Sequence, residues 1–217
     1  MDTALHTEPA GPAVEVRDGP LLVRKRAVSD MDNNVYLLAC AATGSALIVD
    51  AAADAPSIRA MCDGASPLAV VQTHGHWDHV RAWADLAADP GLEVWGHAGD
   101  VPLYPVVPDR LLTDGQELAV GELTIEVLHV PGHTPGSLLL LVHGTQQPWL
   151  VTGDSLFPGG PGNTSGDRAA HALLMDGLER RVFDRLSDDT RVLPGHGDAT
   201  TLGAERPHLA EWRARGW

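Results

Sequence analysis

The sequence predicts an α/β protein arranged as a four-layer αββα sandwich, two mixed sheets face to face with helices outside. Three observations predict it. Runs of strand character followed by runs of helix character occur twice along 217 residues, and each sheet needs a second apolar layer to bury its own face. Apolar residues make up 44% of the chain, enough at this length for one sizeable core. Four short motifs rich in His, Asp and Gly each follow a predicted strand, and loops at strand ends commonly build sites.

The elements are justified in order. Residues 1–18 read as a loosely attached N-terminal segment, and residues 19–217 as a single domain. "LLVRKRAV" (21–28), "NNVYLLAC" (33–40) and "SALIVDA" (45–51) are rich in β-branched and apolar residues, with turn signals "DMDN" and "ATG" between them. "APSIRAMCDG" (55–64) reads as a short helix stopped by Gly64. "PLAVVQT" (67–73) is a buried strand, and "VRAWADLAAD" (80–89) a helix ended by Pro90 and Gly91. In the second half, 115–120, 123–130, 137–144 and 148–154 read as strands. Residues 167–186 form the longest amphipathic helix candidate, 190–194 a last strand, and 203–216 a closing helix.

Bulk properties exclude several classes. The formal charge of −14 repels phosphate backbones, so no nucleic-acid partner is expected. No apolar run reaches the roughly 18 residues of a membrane span. The first residues lack a basic stretch followed by an apolar one, so no secretory leader and a cytoplasmic location are expected. Cys40 and Cys62 form no Cys-x-x-Cys pair and read as reduced packing residues. Oligomeric state is not legible.

The chemistry concentrates at the strand ends. His74, His76, Asp78 and His79 fall within six positions after "VVQT"; His133 follows "LHVPG"; Asp154 follows "WLVTG"; His196 follows "RVLPG". Five histidines and two aspartates, with no cysteine, suit zinc, with iron or manganese as alternatives. His-x-His at a strand end puts both imidazoles on one side. Two sets of three ligands and one bridging carboxylate account for all seven residues, as two divalent ions about 3.5–4 Å apart would need.

"THGHWDH", "PGHTPGS", "TGDSLFPGG" and "LPGHG" resemble, in order, the motifs of the metallo-β-lactamase fold hydrolases, over Asp32 to Thr201. Within them the resemblance is to the hydroxyacylglutathione hydrolase (glyoxalase II) branch. It implies that His74, His76 and His133 hold one metal, that Asp78, His79 and His196 hold the other, and that Asp154 bridges. Asp78 and Asp154 are then the catalytic pair, and Asp50 supports the ligands. The implied activity is hydrolysis of a small acyl substrate, a thioester foremost, by a hydroxide activated between two metals.

The chain also departs from that branch. Val80, Arg81, Ala82 and Trp83 stand where a Gly-Gly pair usually follows, and "PGGPGNTSGD" (158–167) where Cys-Gly-Arg does. The sequence ends at Trp217, so the branch's helical C-terminal extension, and with it glutathione specificity, is not expected. Lactonase and mononuclear iron persulfide dioxygenase chemistry stay open, as does a non-enzymatic metal-binding protein. A β-lactamase is disfavoured by Asp154, and an RNA-processing nuclease by the charge.

The remaining candidates read as structural. His6, His97, His129, His143, His171 and His208 are expected in packing or surface roles, Asp198 in a turn and Tyr104 in loop packing. Trp77 is either a cleft wall or a packing residue. The 158–167 loop lacks the Lys-Ser/Thr ending of a phosphate cradle and should form one lip of the cleft.

Overall fold

The computed structural model describes residues 5–216. Its first sheet orders β1 (Val14–Asp18), β2 (Leu21–Ala27), β3 (Asn34–Cys40), β4 (Ser45–Val49), β5 (Ser66–Val71), β6 (Glu93–His97) and β7 (Arg110–Leu112) in sequence. Pairing is antiparallel from β1 to β4 and parallel from β4 to β7. Helices α1 (Ala55–Met61) and α2 (Trp83–Ala87) lie in the parallel connections.

In the second sheet, β8 (Glu117–Val120), β9 (Leu123–His129), β10 (Leu138–His143) and β11 (Trp149–Gly153) form an antiparallel meander. A small hairpin, β12 (Leu156–Phe157) with β13 (Gly160–Pro161), precedes α3 (Arg168–Leu178). Then β14 (Arg191–Pro194) pairs parallel with β11, and β15 (Thr200–Thr201) closes the edge. Helices α4 (Leu202–Glu205) and α5 (Leu209–Arg215) follow.

The period of two sorts the side chains into layers. On β3, Tyr36, Leu38 and Cys40 enter the core between the sheets, while Val35, Leu37 and Ala39 face the α1/α2 layer with Ile58 and Trp83. On β10, Leu138, Leu140 and Val142 meet that same central core, and Leu139 and Leu141 pack under Leu174, Met175 and Trp212. Both faces of both sheets are therefore covered, which is the predicted four-layer sandwich. No helix among the described residues is long and apolar enough to cross a membrane.

Four expectations need correction. The N-terminal segment is tied down rather than loose: β1 pairs with β2, Leu5 is buried, and the buried Lys25 ammonium donates to the Leu5 carbonyl. Its edge position leaves only Val14 and Val16 to mark it, and both are partly exposed. Residues 1–4 lie outside the described residues. Strands β6 and β7 were not foreseen, because five and three residues between loops carry too little pattern. The predicted 167–186 helix holds its α form only to Leu178, then widens into a π turn over Glu179–Phe183. The closing helix is split at Arg206–His208, where Pro207 has no N–H to continue the ladder.

Leu140 lies in the central core and Leu173 is an exposed residue of α3. Leu140→Ala should lower unfolding free energy by about 2–5 kcal/mol, against within about 0.5 kcal/mol for Leu173→Ala, in chemical denaturation.

Candidate metal centre

Strand ends bring the motifs together. β5 leads into His74 and a 3-10 turn, Trp77–His79; the β9–β10 loop carries His133; Asp154 follows β11; and His196 follows β14. Glycines permit the close approach. A Cβ on Gly195 would run into the Asp154 carboxylate, and one on Gly75 would lie 2.6 Å from the Leu103 Cβ.

All seven predicted residues converge. The ligand atoms of His74, His76 and His133 lie within 4.8 Å of one another, and so do those of Asp78, His79 and His196. Asp154 joins the two groups. Its Oδ2 lies 3.9 Å from His74 Nε2, 3.6 Å from His133 Nε2 and 3.5 Å from His196 Nε2, while Oδ1 lies 3.4 Å from His79 Nε2. His79 and His196 face each other Nε2 to Nε2 at 3.0 Å, a separation that two bare lone pairs do not tolerate without a proton or a cation between them.

Four of the five imidazoles are aimed from behind. His133 Nδ1 donates to the Asn163 carbonyl at 2.8 Å, and His196 Nδ1 to the Met31 carbonyl at 2.7 Å. His79 Nδ1 donates to Asp50 at 3.2 Å. His74 Nδ1 donates to Thr73 Oγ1 at 3.1 Å, and that hydroxyl donates in turn to Asp50 at 2.9 Å. With Nδ1 committed in all four, Nε2 offers its lone pair inward, as metal ligands require. Asp50 also accepts from the Thr73 amide and from Gln72, in a left-handed backbone conformation (φ 65°). Such a conformation costs energy in a non-glycine residue and persists where surrounding contacts hold it.

The electrostatics match an electron-rich cage. Burial holds the His74 and His133 imidazoles neutral, well below their usual range for His74. Burial opposes charge on Asp154 too, but the histidines around it, His79 foremost, keep it ionised. Burial likewise opposes charge on Asp78, which the Asn33 amide at 2.9 Å offsets. For His196 burial is outweighed by Asp154, which pushes it up to about 9. His74 Nε2, His133 Nε2 and Asp154 Oδ1 are buried and meet no hydrogen-bond partner among the described residues. Cations held by the two groups would satisfy these atoms, so the cluster is capable of binding metal ions.

Two residues of the site were not foreseen. Asn33, fully buried, reaches Asp78, His79 (3.3 Å) and His196 (3.5 Å) through one amide. Asp100, also fully buried, accepts from the Gly75 amide at 2.8 Å, the Thr134 hydroxyl at 2.7 Å and the Gly136 amide at 2.7 Å, so it clamps the loops of His74–His76 and His133 together. Neither has a local signal: one sits in a turn-like cluster, the other in "HAGD".

The structural expectations for the other residues fare as follows. Trp77 is 64% exposed on a cleft wall rather than packed. His97 and His129 stack on each other at 4.0 Å outside the cluster. His171 is buried and bonds the Trp212 carbonyl. Tyr104 stacks on Trp83, and Asp198 pairs with His6 at the surface. The 158–167 loop contributes the Asn163 carbonyl behind His133.

Two sheets between helix layers, with a His/Asp cage at the strand tips, define a sandwich fold with a cluster capable of binding metal ions. The family model described as "Metallo-beta-lactamase superfamily" matches residues 28–196, and the chain belongs to that superfamily. A hydroxyacylglutathione hydrolase from Anaeromyxobacter dehalogenans is 42% identical over 76% of this chain, which spans 61% of that relative's length. Hydroxyacylglutathione hydrolase GloC from Haemophilus influenzae is 34% identical over 62% of this chain and 70% of its own. A metallo-beta-lactamase from Staphylococcus aureus superposes with TM-score 0.79 at 24% identity, covering 92% of this chain and 67% of that one, a likeness of fold. ETHE1 from Myxococcus xanthus superposes at 0.72 with 25% identity, covering 94% and 85%. TTHA1623 in a di-iron-bound form superposes at 0.68 with 30% identity, covering 83% and 95%.

Asp100→Ala should weaken zinc affinity about ten- to a hundredfold without removing a ligand, read by calorimetric titration of metal-free protein; an unchanged affinity would show that the clamp is idle. The folded metal-free protein holds His196 at about 9, above its ordinary 6.5. That contribution to stability is complete below 6.5 and is lost as pH rises through 9. Melting temperature of the metal-free protein should therefore fall over this interval, while zinc affinity rises as protons cease to compete.

Proposed function

We propose that this protein hydrolyses a small acyl thioester with two divalent ions, zinc foremost, held by His74, His76 and His133 on one side and Asp78, His79 and His196 on the other, with Asp154 between. The observation that carries the reading is the reach of Asp154 to imidazoles of both groups, within 3.4–3.9 Å. When bound, such an ion pair lowers the pKa of water and polarises a carbonyl.

The chain's own residues set the rest. Asp50 and the Asn163 and Met31 carbonyls fix the imidazoles, so little reorganisation is needed when substrate arrives. Asp78, kept ionised by the Asn33 amide, offers its carboxylate to the same cage. The geometry gives the leaving group no dedicated acid: the imidazoles are committed as ligands and the carboxylates are ionised. A thiol, with pKa near 8.5, departs without one more readily than an amine or alkoxide does. This ranks thioesters above lactones and β-lactams. The hydroxyacylglutathione hydrolase names of the relatives support it, and the di-iron relative makes iron the second metal to test.

Protein purified without added metal should carry two equivalents of zinc or iron by elemental analysis. It should cleave acyl thioesters in preference to an acyl-homoserine lactone or nitrocefin. Asp154→Ala and His76→Ala should each reduce turnover to background. One equivalent of iron, with oxygen uptake on a persulfide substrate and no thioester cleavage, would replace this reading with the dioxygenase one.

A further inference from the structure

A cleft beside the candidate metal centre touches it at His76 and is otherwise built of residues outside the cluster. It encloses about 480 Å³ and is walled by Trp77, Val80, Leu103 and Pro105, with His76 and Arg81 also lining it. Trp77 is 64% exposed and Leu103 44% exposed, so two large apolar side chains stand in water next to candidate ligands. Isolated exposed apolar residues need no explanation, but a concave apolar wall continuous with a reactive centre is the usual form of a substrate site.

One cation is fixed at this wall. The Arg81 guanidinium carbon lies 5.4 Å from the Trp77 ring centroid. Its Nε donates to the Ala52 carbonyl at 3.1 Å and its Nη2 to Asn33 Oδ1 at 3.2 Å. Nη1 donates to no protein atom among the described residues. The planar group is thus oriented by three contacts and still presents N–H donors, the arrangement that receives a carboxylate with two parallel hydrogen bonds. A protein of net charge −14 does not gather anions by its overall field, so a bound anion has to be drawn by a fixed local cation such as this one.

We propose that this cleft is a specificity site for an apolar arm of the substrate that ends in a carboxylate. The stem lies on Trp77, Val80, Leu103 and Pro105, and the carboxylate pairs with Arg81. The proposal rests on the thioesterase reading for its kinetic test and deepens it by naming the substrate class: an ω-carboxylated thioester. The arm can belong to the acyl half or to the thiol half, and its chemistry is the same in both.

Two substrate pairs separate these sources. One is the adipoyl thioester of N-acetylcysteamine against its ω-methyl ester; the other is butanoyl 6-mercaptohexanoate against its methyl ester. At least one acid should exceed its ester about tenfold in kcat/KM, mainly through KM, and the pair that does so identifies the half carrying the arm. Arg81→Gln should collapse that ratio towards one, Arg81→Lys should retain part of it, and Trp77→Ala should raise KM for both members. A ratio of one for both pairs in the unaltered protein overturns the proposal. So does a Trp77→Ala variant that changes the oligomeric state without changing KM, since the wall is then an interface between copies. A readout without turnover keeps the two readings apart. Hexanoate, but not hexan-1-ol, should shift the indole resonances in NMR titration, and Arg81→Gln should abolish the shift. Hexanoate binding of this kind without any thioester cleavage supports the subsite and sinks the hydrolase reading. Cleavage without hexanoate binding sinks the subsite alone.

Discussion

The structure depends on one electrostatic constraint: five imidazoles and two carboxylates share a space too small and too dry for their lone pairs. His79 and His196 stand nitrogen to nitrogen at 3.0 Å, and Asp154 lies within 3.4–3.9 Å of four imidazoles. In a buried setting such contacts are unfavourable unless positive charge lies among them. The folded chain must hold the groups there against their repulsion and desolvation. Most of what surrounds the site is explained by that task.

The holding is done by backbone carbonyls and buried carboxylates rather than by the candidate ligands themselves. Asp50 takes four hydrogen bonds at the end of β4 and thereby fixes Gln72, Thr73 and His79. Asp100 joins two ligand loops from different sheets. At the far side the start of β3 pins the His196 loop: the Asn34 side chain and the Tyr36 hydroxyl both donate to the Pro194 carbonyl, and the Asn34 amide donates to that of Gly195. These anchors make the ligand set an extension of the sheets, so rigidity of the core becomes rigidity of the site.

The same arrangement links the ion cage and the neighbouring cleft. Asn33 donates to Asp78 with its nitrogen and accepts from Arg81 with its oxygen. One buried amide therefore spans the ion cage and the wall of the neighbouring cleft. Arg81 thus stands two hydrogen bonds away from Asp78, a candidate metal ligand.

Much of the fold and all seven residues of the candidate cluster were legible before the structure. Alternation on β9 and the apolar run of β10 marked buried strands, and strand-end Gly next to His or Asp marked the site, because both are local patterns with a fixed period or spacing. What escaped was short or non-local. Strands β6 and β7 hold too few residues to show a period. β1 is half-exposed, and the break at Pro207 and the widened turn after Leu178 interrupt otherwise good helical patterns. The sequence by itself determined which residues could hold a cation, since imidazole and carboxylate chemistry belongs to residue type and neighbouring glycine. Only the tertiary structure decided that Asn33 and Asp100 serve the centre, that Trp77 faces water, and that Arg81 stands over it. The roles of Asn33 and Asp100 come from contacts between residues 25 to 163 positions apart, and a linear pattern carries no record of them.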